Sequence, residues 1–226
     1  MCRPSLRRRT RPRLRQEQES CGKRSRSRRL EHPTGKNGLN TFSLQVAPDL
    51  LLKAVQSTDA EQQFALTDSN RAYLREWLPW LDMTKAAGDT LKFVESCREQ
   101  GEKKEALHCC IWFEGNLAGL ISFHRFDFAN RSTAMGYWLR ADLQGKGIMT
   151  RSCRALIDYA FTELKMNRVE IRCATNNVKS RAIPERLGFK SEGVLRDAER
   201  LYGHFVDHVV YAMLERDWKL STDRHG

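Results

Sequence analysis

Leu143-Gln144-Gly145-Lys146-Gly147-Ile148-Met149-Thr150 stands between a strand-like run, Ala134 to Leu139, and a long amphipathic stretch. Gly145 and Gly147 free the backbone for positive φ or for close approach to a ligand. The first N–H groups of a helix opening at Ile148 lack intrahelical partners and sit at the positive end of the helix dipole. Such a turn is suited to cradle a pyrophosphate on backbone amides. The spacing is neither Gly-x-x-x-x-Gly-Lys-Ser/Thr nor Gly-x-Gly-x-x-Gly. Taken by itself, the Gly-x-Gly turn fits an ordinary strand-to-helix connection as well as an anion cradle.

Downstream of the turn, Ile148, Met149, Cys153, Leu156, Ile157, Ala160, Phe161 and Leu164 recur every three or four residues, with Arg151, Arg154, Asp158 and Glu163 between them. That is the pattern of a helix with one buried face. Arg168 to Cys173 then alternates Val169, Ile171 and Cys173 with Glu170 and Arg172, a half-buried strand. Val178 to Leu187 reads as a short helix, with Asn177 as cap and Gly188 as stop. Pro184 inside it has no N–H, so the carbonyl of Ser180 loses its helical partner and a kink is expected.

Upstream, Ser132 to Leu139 reads as a strand, and Leu107 to Phe113 and Leu117 to His124 as a hairpin around Glu114-Gly115-Asn116. A helix is expected from about Asp89 to Gln100. Another helical region runs from Asp59 to Leu81, broken near Thr67 to Asn70 and limited by Pro79. Phe42 to Val46 alternates as an opening strand, and Leu201 to Leu214 reads as a turn followed by a terminal strand. The fold class is α/β, with a mixed sheet.

The order of strand, Gln-x-x-Gly turn, amphipathic helix and second strand, then Asn177-x-x-Ser180 leading to Arg186-Leu187-Gly188-Phe189, resembles the GNAT superfamily of acyl-CoA N-acyltransferases. Gly136-Tyr137-Trp138-Leu139, Gln144-Gly145-Lys146-Gly147-Ile148-Met149 and Tyr211-Ala212-Met213 look most like its Rim-type ribosomal-protein N-terminal acetyltransferases. Met149, where the superfamily usually carries Gly or Ala, marks that branch. The likeness spans residues 41–218 and implies a mostly antiparallel sheet whose two central parallel strands splay apart to admit acetyl-CoA, with helices on its flanks. The domains expected are a basic arm over 1–40, a GNAT domain over 41–219 and a polar tail over 220–226.

The resemblance also assigns roles. Ser180 is implied as the general acid that protonates the departing thiolate, and Glu199 as the base acting through water. Leu139 and its strand neighbours are implied to pair with pantetheine, and Gln144 to mark the loop entrance. The amides of Gly145, Lys146, Gly147, Ile148, Met149 and Thr150 take the pyrophosphate, and Asn177 holds the pantetheine arm. Lys146 and Arg181 could neutralise phosphate charge or be solvated cations. Ser180 could instead cap its helix, and Glu199, within Arg196-Asp197-Ala198-Glu199-Arg200, could belong to a surface ion-pair cluster. Tyr137 and Tyr211 are rival proton donors. For His124, His204 and His208 a structural role is expected, and no spacing indicates a metal site. The acceptor side is implied over about 67–81 and 199–207, where Trp77, Pro79 and Trp80 could wall a groove.

Composition limits the alternatives. The chain has 226 residues and a formal charge of +11, but residues 1–40 carry 13 of the 39 basic residues and 3 of the 28 acidic ones, which leaves 26 against 25 for the rest. The overall pI near 9.5 is therefore a property of the arm, not of the folded part. The arm could be a solvated extension, a segment touching RNA, or an Arg-rich targeting peptide. No apolar run approaches the roughly 20 residues that span a bilayer, so a soluble, cytoplasmic protein without membrane contact is expected. Seven Cys without a Cys-x-x-Cys pair read as reduced thiols, and Cys153 and Cys173 as poor nucleophiles. The expected function is transfer of acetyl from acetyl-CoA to the N-terminal amine of a ribosomal protein by direct attack, with no metal. A homodimer is implied by family likeness only. A polyamine or aminoglycoside acceptor, or a non-catalytic RNA-associated protein, are the alternatives.

Overall fold

A computed structural model describes residues 38–222. Nearly all of the basic arm lies outside the described residues, as do the last four residues of the chain. In chain order the elements are β1 (Ser43–Ala47), β2 (Leu50–Ala54), α1 (Ala60–Ser69), α2 (Arg71–Leu74), α3 (Ala87–Glu102), β3 (Leu107–Phe113), β4 (Asn116–Asp127), β5 (Ser132–Leu139), α4 (Ile148–Thr162), β6 (Arg168–Ala174), α5 (Val178–Arg186), β7 (Lys190–Leu201), β8 (His204–Leu214) and α6 (Glu215–Thr222).

The strands form one sheet in the order β1-β2-β3-β4-β5-β6-β8-β7, antiparallel everywhere except between β5 and β6. That parallel pair runs only from Ser132 opposite Arg168 to Met135 opposite Ile171. Beyond it, Gly136 to Leu139 stay with β4, while Arg172 to Ala174 stay with β8. The sheet therefore opens into a V at its centre, as the expected fold class requires.

Each face is closed by helices. Leu66 of α1 and Val94 and Cys97 of α3 pack on Cys110, Leu117 and Leu120, with Trp112 and Trp138 at the margin. Burial of each large aliphatic side chain here is worth about 1.5–3 kcal/mol. Helix α4 covers the opposite face, where Tyr159 meets Phe42 edge-on at 4.8 Å between ring centres. The neighbouring Cys109 and Cys110 point to opposite faces as strand geometry demands, Cys110 taking a hydrogen bond from Gln63 of α1. Cys97, Cys109, Cys110, Cys153 and Cys173 are all buried free thiols.

Four differences from the expected elements have physical causes. Strand β2 was hidden because Leu50-Leu51-Leu52 has no polar alternation in sequence, although Leu50, Leu52 and Ala54 alone are buried. Strand β7 was hidden because it is an edge strand, exposed along nearly its whole length and held by backbone pairing to β8. The helical region after Asn70 ends at Leu74 rather than at Pro79, since Leu78 must be extended ahead of the proline (φ −121°, ψ 107°), and Pro79 instead opens a 3₁₀ turn to Met83. Finally, helix α6 occupies residues 215–222, across the start of the expected tail.

Candidate active site

The Gly-x-Gly turn has the conformation its sequence calls for. Gly145 and Gly147 lie at φ +76° and +71°, with open space where a Cβ would stand. Gly147 is the N-cap of α4, and the first intrahelical bond runs from the Arg151 N–H to the Gly147 carbonyl at 3.0 Å. The N–H groups of Ile148, Met149 and Thr150 therefore have no partner inside the helix. They open on a cleft of about 1460 Å³ that passes through the V of the sheet. Leu139, Gln144, Gly145, Gly147, Ile148, Met149, Thr150, Asn177, Ser180 and Glu199 all line this cleft. Lys146 does not: its side chain is exposed outside the lining. Arg181 is likewise turned away from any phosphate, with its guanidinium on Tyr211 Oη (3.0 Å) and the Thr175 carbonyl (2.8 Å).

Ser180 sits in the first turn of α5, and each of its polar groups is held. Asn177 Oδ1 accepts its N–H at 3.1 Å, which makes Asn177 the helix cap and leaves the Ser180 hydroxyl free of capping. The Ser180 carbonyl, orphaned by Pro184, accepts the phenol of Tyr137 at 3.0 Å. Ser180 Oγ lies 3.3 Å from Cys173 Sγ on the cleft wall. Burial raises the Cys173 thiol, which therefore stays protonated and leaves the hydroxyl uncharged. The two rival phenols are committed elsewhere: Tyr137 to Ser180, and Tyr211 to Glu185 at 2.6 Å. Burial also lifts both well above the ordinary phenol range or in that direction.

Glu199, on β7, forms no ion pair with an arginine among the described residues. Its Oε2 meets Nε2 of His208 on β8 at 3.2 Å. His208, for which a structural role was expected, lines the cleft beside Glu199, a neighbour set by strand register that no local sequence pattern announces.

Tyr73, Trp77, Leu78, Pro79, Trp80 and Met83 also line the cleft, in the region where an acceptor groove was expected. The β7–β8 turn closes onto it: Tyr202 Oη donates to the Leu78 carbonyl at 2.5 Å, and the Arg75 guanidinium stacks 3.9 Å over the Tyr202 ring. Gln144 joins the two halves, donating to Tyr73 Oη and accepting from Lys179 Nζ at 3.0 Å.

A further wall, made by Ser122, His108 and His124, was not expected as part of the site. His108 Nε2 lies 3.1 Å from Gln100 Oε1, an oxygen that can only accept, which assigns the proton to Nε2. Nδ1 then accepts from the Ser122 hydroxyl at 2.9 Å. Burial, with His124 nearby, pushes the His108 ring down to about 4, and burial lowers His124 as well. Both rings are neutral at pH 7. His124 faces the cleft across Gly136, where a Cβ would lie 2.1 Å from His124 Nε2. No group of three or more His, Cys, Asp or Glu suited to a metal ion occurs among the described residues.

A parallel strand pair that parts beside a glycine-capped helix terminus, opening the sheet into a cleft, is the architecture of an acetyltransferase of the GNAT class. Residues 49–190 match the family described as Acetyltransferase (GNAT) domain, and the chain belongs to that family. It is 37% identical over 180 residues to the putative ribosomal N-acetyltransferase YdaF of Bacillus subtilis, covering 79% of this chain and 98% of that protein. It is 30% identical over 174 residues to the ribosomal-protein-serine acetyltransferase of Escherichia coli, covering 77% and 97%. Among solved structures it resembles RimL, a ribosomal L7/L12 alpha-N-protein acetyltransferase in complex with coenzyme A, with a TM-score of 0.75, 28% identity and coverage of 78% and 99%.

Proposed function

We propose that the protein transfers the acetyl group of acetyl-CoA to the N-terminal α-amino group of a protein, a ribosomal protein in particular, by direct attack in a ternary complex. The observation that carries this reading is the continuity of the cleft. It joins the free amides at Ile148 to Thr150 to an aromatic groove at Trp77 to Met83, and passes Ser180 and Glu199 between them. The pyrophosphate rests on the amides, pantetheine follows the unpaired edge of Leu139 beside the Asn177 amide, and the thioester reaches the lip where Ser180 stands. Gly145 and Gly147 leave open space beside that path.

The chemistry asks little of the protein. An α-amino group has a pKa of about 7.7–8.0 against about 10.4 for lysine, so one carboxylate acting through water suffices as base. Glu199 fills that role, and the Ser180 hydroxyl gives a proton to the thiolate. Acid–base groups of this kind contribute about 10²–10⁴ in rate.

A polyamine or aminoglycoside fits the groove less well. Among the described residues only Asp89 and Glu199 supply carboxylates to the lining, and Asp89 is occupied by the N–H groups of Lys85 and Ala86. The opposing wall of neutral imidazoles offers a second cation no counter-charge. A protein acceptor made on ribosomes agrees with a cytoplasmic location. No helix among the described residues is long and apolar enough to cross a membrane.

The test is acetylation by the full chain of N-terminal peptides from ribosomal proteins, alongside spermidine and an aminoglycoside, with acetylated sites read by mass spectrometry. Modification of an α-amine, lowered about 10²-fold or more by Ser180→Ala and by Glu199→Gln, is expected. A small amine used far better than every peptide would overturn the proposal.

A further inference from the structure

The β7–β8 ladder is interrupted where it reaches the cleft. Leu195 pairs with His208, but the next pair is Glu199 with Val206, so residues 196–198 of β7 face the single residue Asp207. Uninterrupted pairing would set Asp197 opposite Val206 and carry Glu199 on to His204. The two extra residues place Glu199 where Asp197 would stand, on the sheet face shared by Val206 and His208. The bulge is pinned: Asp197 adopts φ +49°, and its N–H donates to Asp207 Oδ1 at 2.8 Å. Bulges of this kind re-aim side chains beside functional sites. Here the re-aimed carboxylate meets His208 Nε2 at 3.2 Å. His208 in turn pairs with Ala174 at the end of β6, at the mouth of the V, and both Glu199 and His208 line the cleft.

We propose that His208 is a positioning residue for acetyl transfer: its Nε2–H donates to Glu199 Oε2 and fixes the carboxylate so that Oε1 faces the water beside the acceptor amine. The proposal rests on Glu199 being the base. It explains how an edge strand exposed along residues 190–198 can present a catalytic carboxylate at all. Ordering a free glutamate side chain costs rotamer entropy, and the bond from His208, itself half-buried, supplies that order. During transfer the C–N bond forms and the C–S bond breaks. The amine proton passes through water to Glu199 Oε1, the Ser180 hydroxyl proton passes to the thiolate sulfur, exchange with solvent then returns Ser180 to the hydroxyl and Glu199 to the carboxylate, and the Nε2–H of His208 stays in place. Arg172, the cation on the adjacent stretch of cleft wall, is engaged by Glu170 at 2.6 Å and does not compete for Glu199.

The experiment is a cycle of Glu199→Gln, His208→Ala, His208→Gln and the Glu199→Gln/His208→Ala double variant in the full chain. It measures kcat and both KM values with acetyl-CoA and the peptide acceptor, and checks each variant for coenzyme A binding by calorimetry. A hydrogen bond to a charged group, worth about 1.5–3 kcal/mol, sets the expected loss in kcat for His208→Ala at about 10-fold to 10²-fold, with the acetyl-CoA KM unchanged. His208→Gln, whose amide N–H replaces Nε2–H, is expected to recover most of the rate. The double variant is expected to be no slower than Glu199→Gln alone. Loss that multiplies with Glu199→Gln, absence of rescue by Gln, or full activity of His208→Ala would each overturn the positioning role. Full activity of Glu199→Gln would instead overturn the assignment of the base, and is told apart because His208 need not be changed to see it.

Discussion

The phenol of Tyr137 on β5 donates to the carbonyl of Ser180 on α5 at 3.0 Å, across the V of the sheet. The carbonyl is available because Pro184, four residues on, has no N–H to fill it. One proline thus ties the helix that carries the proposed acid to the strand that borders the thioester path. Tyr137→Phe leaves a buried acceptor unsatisfied and is expected to cost about 1–3 kcal/mol of stability, with a lower kcat as α5 loosens. Pro184→Ala restores an N–H that can bond the same carbonyl. In that background Tyr137→Phe is expected to cost at least about 0.5 kcal/mol less, a coupling that paired urea melts of the four proteins would measure. Strictly additive losses would show that the phenol and the proline act independently.

Two glycines in neighbouring strands are filled by neighbours of different stiffness. At Gly119 a Cβ would lie 2.2 Å from the Trp138 carbonyl oxygen and 2.9 Å from Leu139 Cα, both backbone atoms of the cleft edge. At Gly136 the obstacle is the His124 ring, a side chain that can turn rather than backbone. Gly119→Ala is therefore expected to destabilise by about 1–3 kcal/mol or more. Gly136→Ala is expected to fold nearly as well but to push His124 further into the cleft, which under the proposed function raises the acceptor KM by about tenfold, or about 1.4 kcal/mol, with coenzyme A affinity unchanged. Thermal melts and calorimetry separate the two; equal loss of stability in both would contradict the argument.

His108 makes stability depend on pH in a definite direction. Its folded value of about 4 lies below the ordinary 6.5, so between those limits the unfolded chain binds a proton that the folded chain does not. The contribution is full above about pH 6.5 and is lost as the pH falls, and lowering of His124 acts in the same sense. From pH 7 to pH 5 the loss attributable to His108 amounts to about 2 kcal/mol. Denaturant melts at the two pH values are expected to show a shallower decline in His108→Gln than in the wild type. An unchanged slope would mean that the ring titrates normally in the folded state.

The parts of the site legible in sequence are those fixed by local rules. Gly145 and Gly147 announce positive φ, Asn177 announces a cap, and Pro184 announces an orphaned carbonyl; all three are found as their chemistry dictates. What stayed hidden depends on partners far along the chain. His208 looks like any strand residue until a two-residue bulge brings Glu199 beside it, and Ser122 looks like a core hydroxyl until His108, fourteen residues earlier, accepts its proton. Strand β7 stayed hidden for a different reason. Its side chains face water on both sides, so hydrophobic alternation, the only periodic trace a strand leaves in sequence, is missing.

Cys173 Sγ lies 3.3 Å from Ser180 Oγ, which makes it the natural residue at which a covalent acetyl-enzyme would form if one existed. Its environment argues against that. Burial raises the thiol pKa, the nearby hydroxyl is as able to accept from it as to donate, and among the described residues no histidine ring nitrogen is bonded to it. The thiolate needed for attack is scarce at pH 7. Cys173→Ala is therefore expected to keep kcat within about threefold, a change below about 0.7 kcal/mol, because direct attack by the amine does not pass through sulfur. Rapid quenching with labelled acetyl-CoA and no acceptor is expected to leave the protein mass unchanged. An acetyl adduct on Cys173, or a rate lost with the sulfur, would replace direct attack by a two-step transfer and move Ser180 from proton donor to partner of the nucleophile.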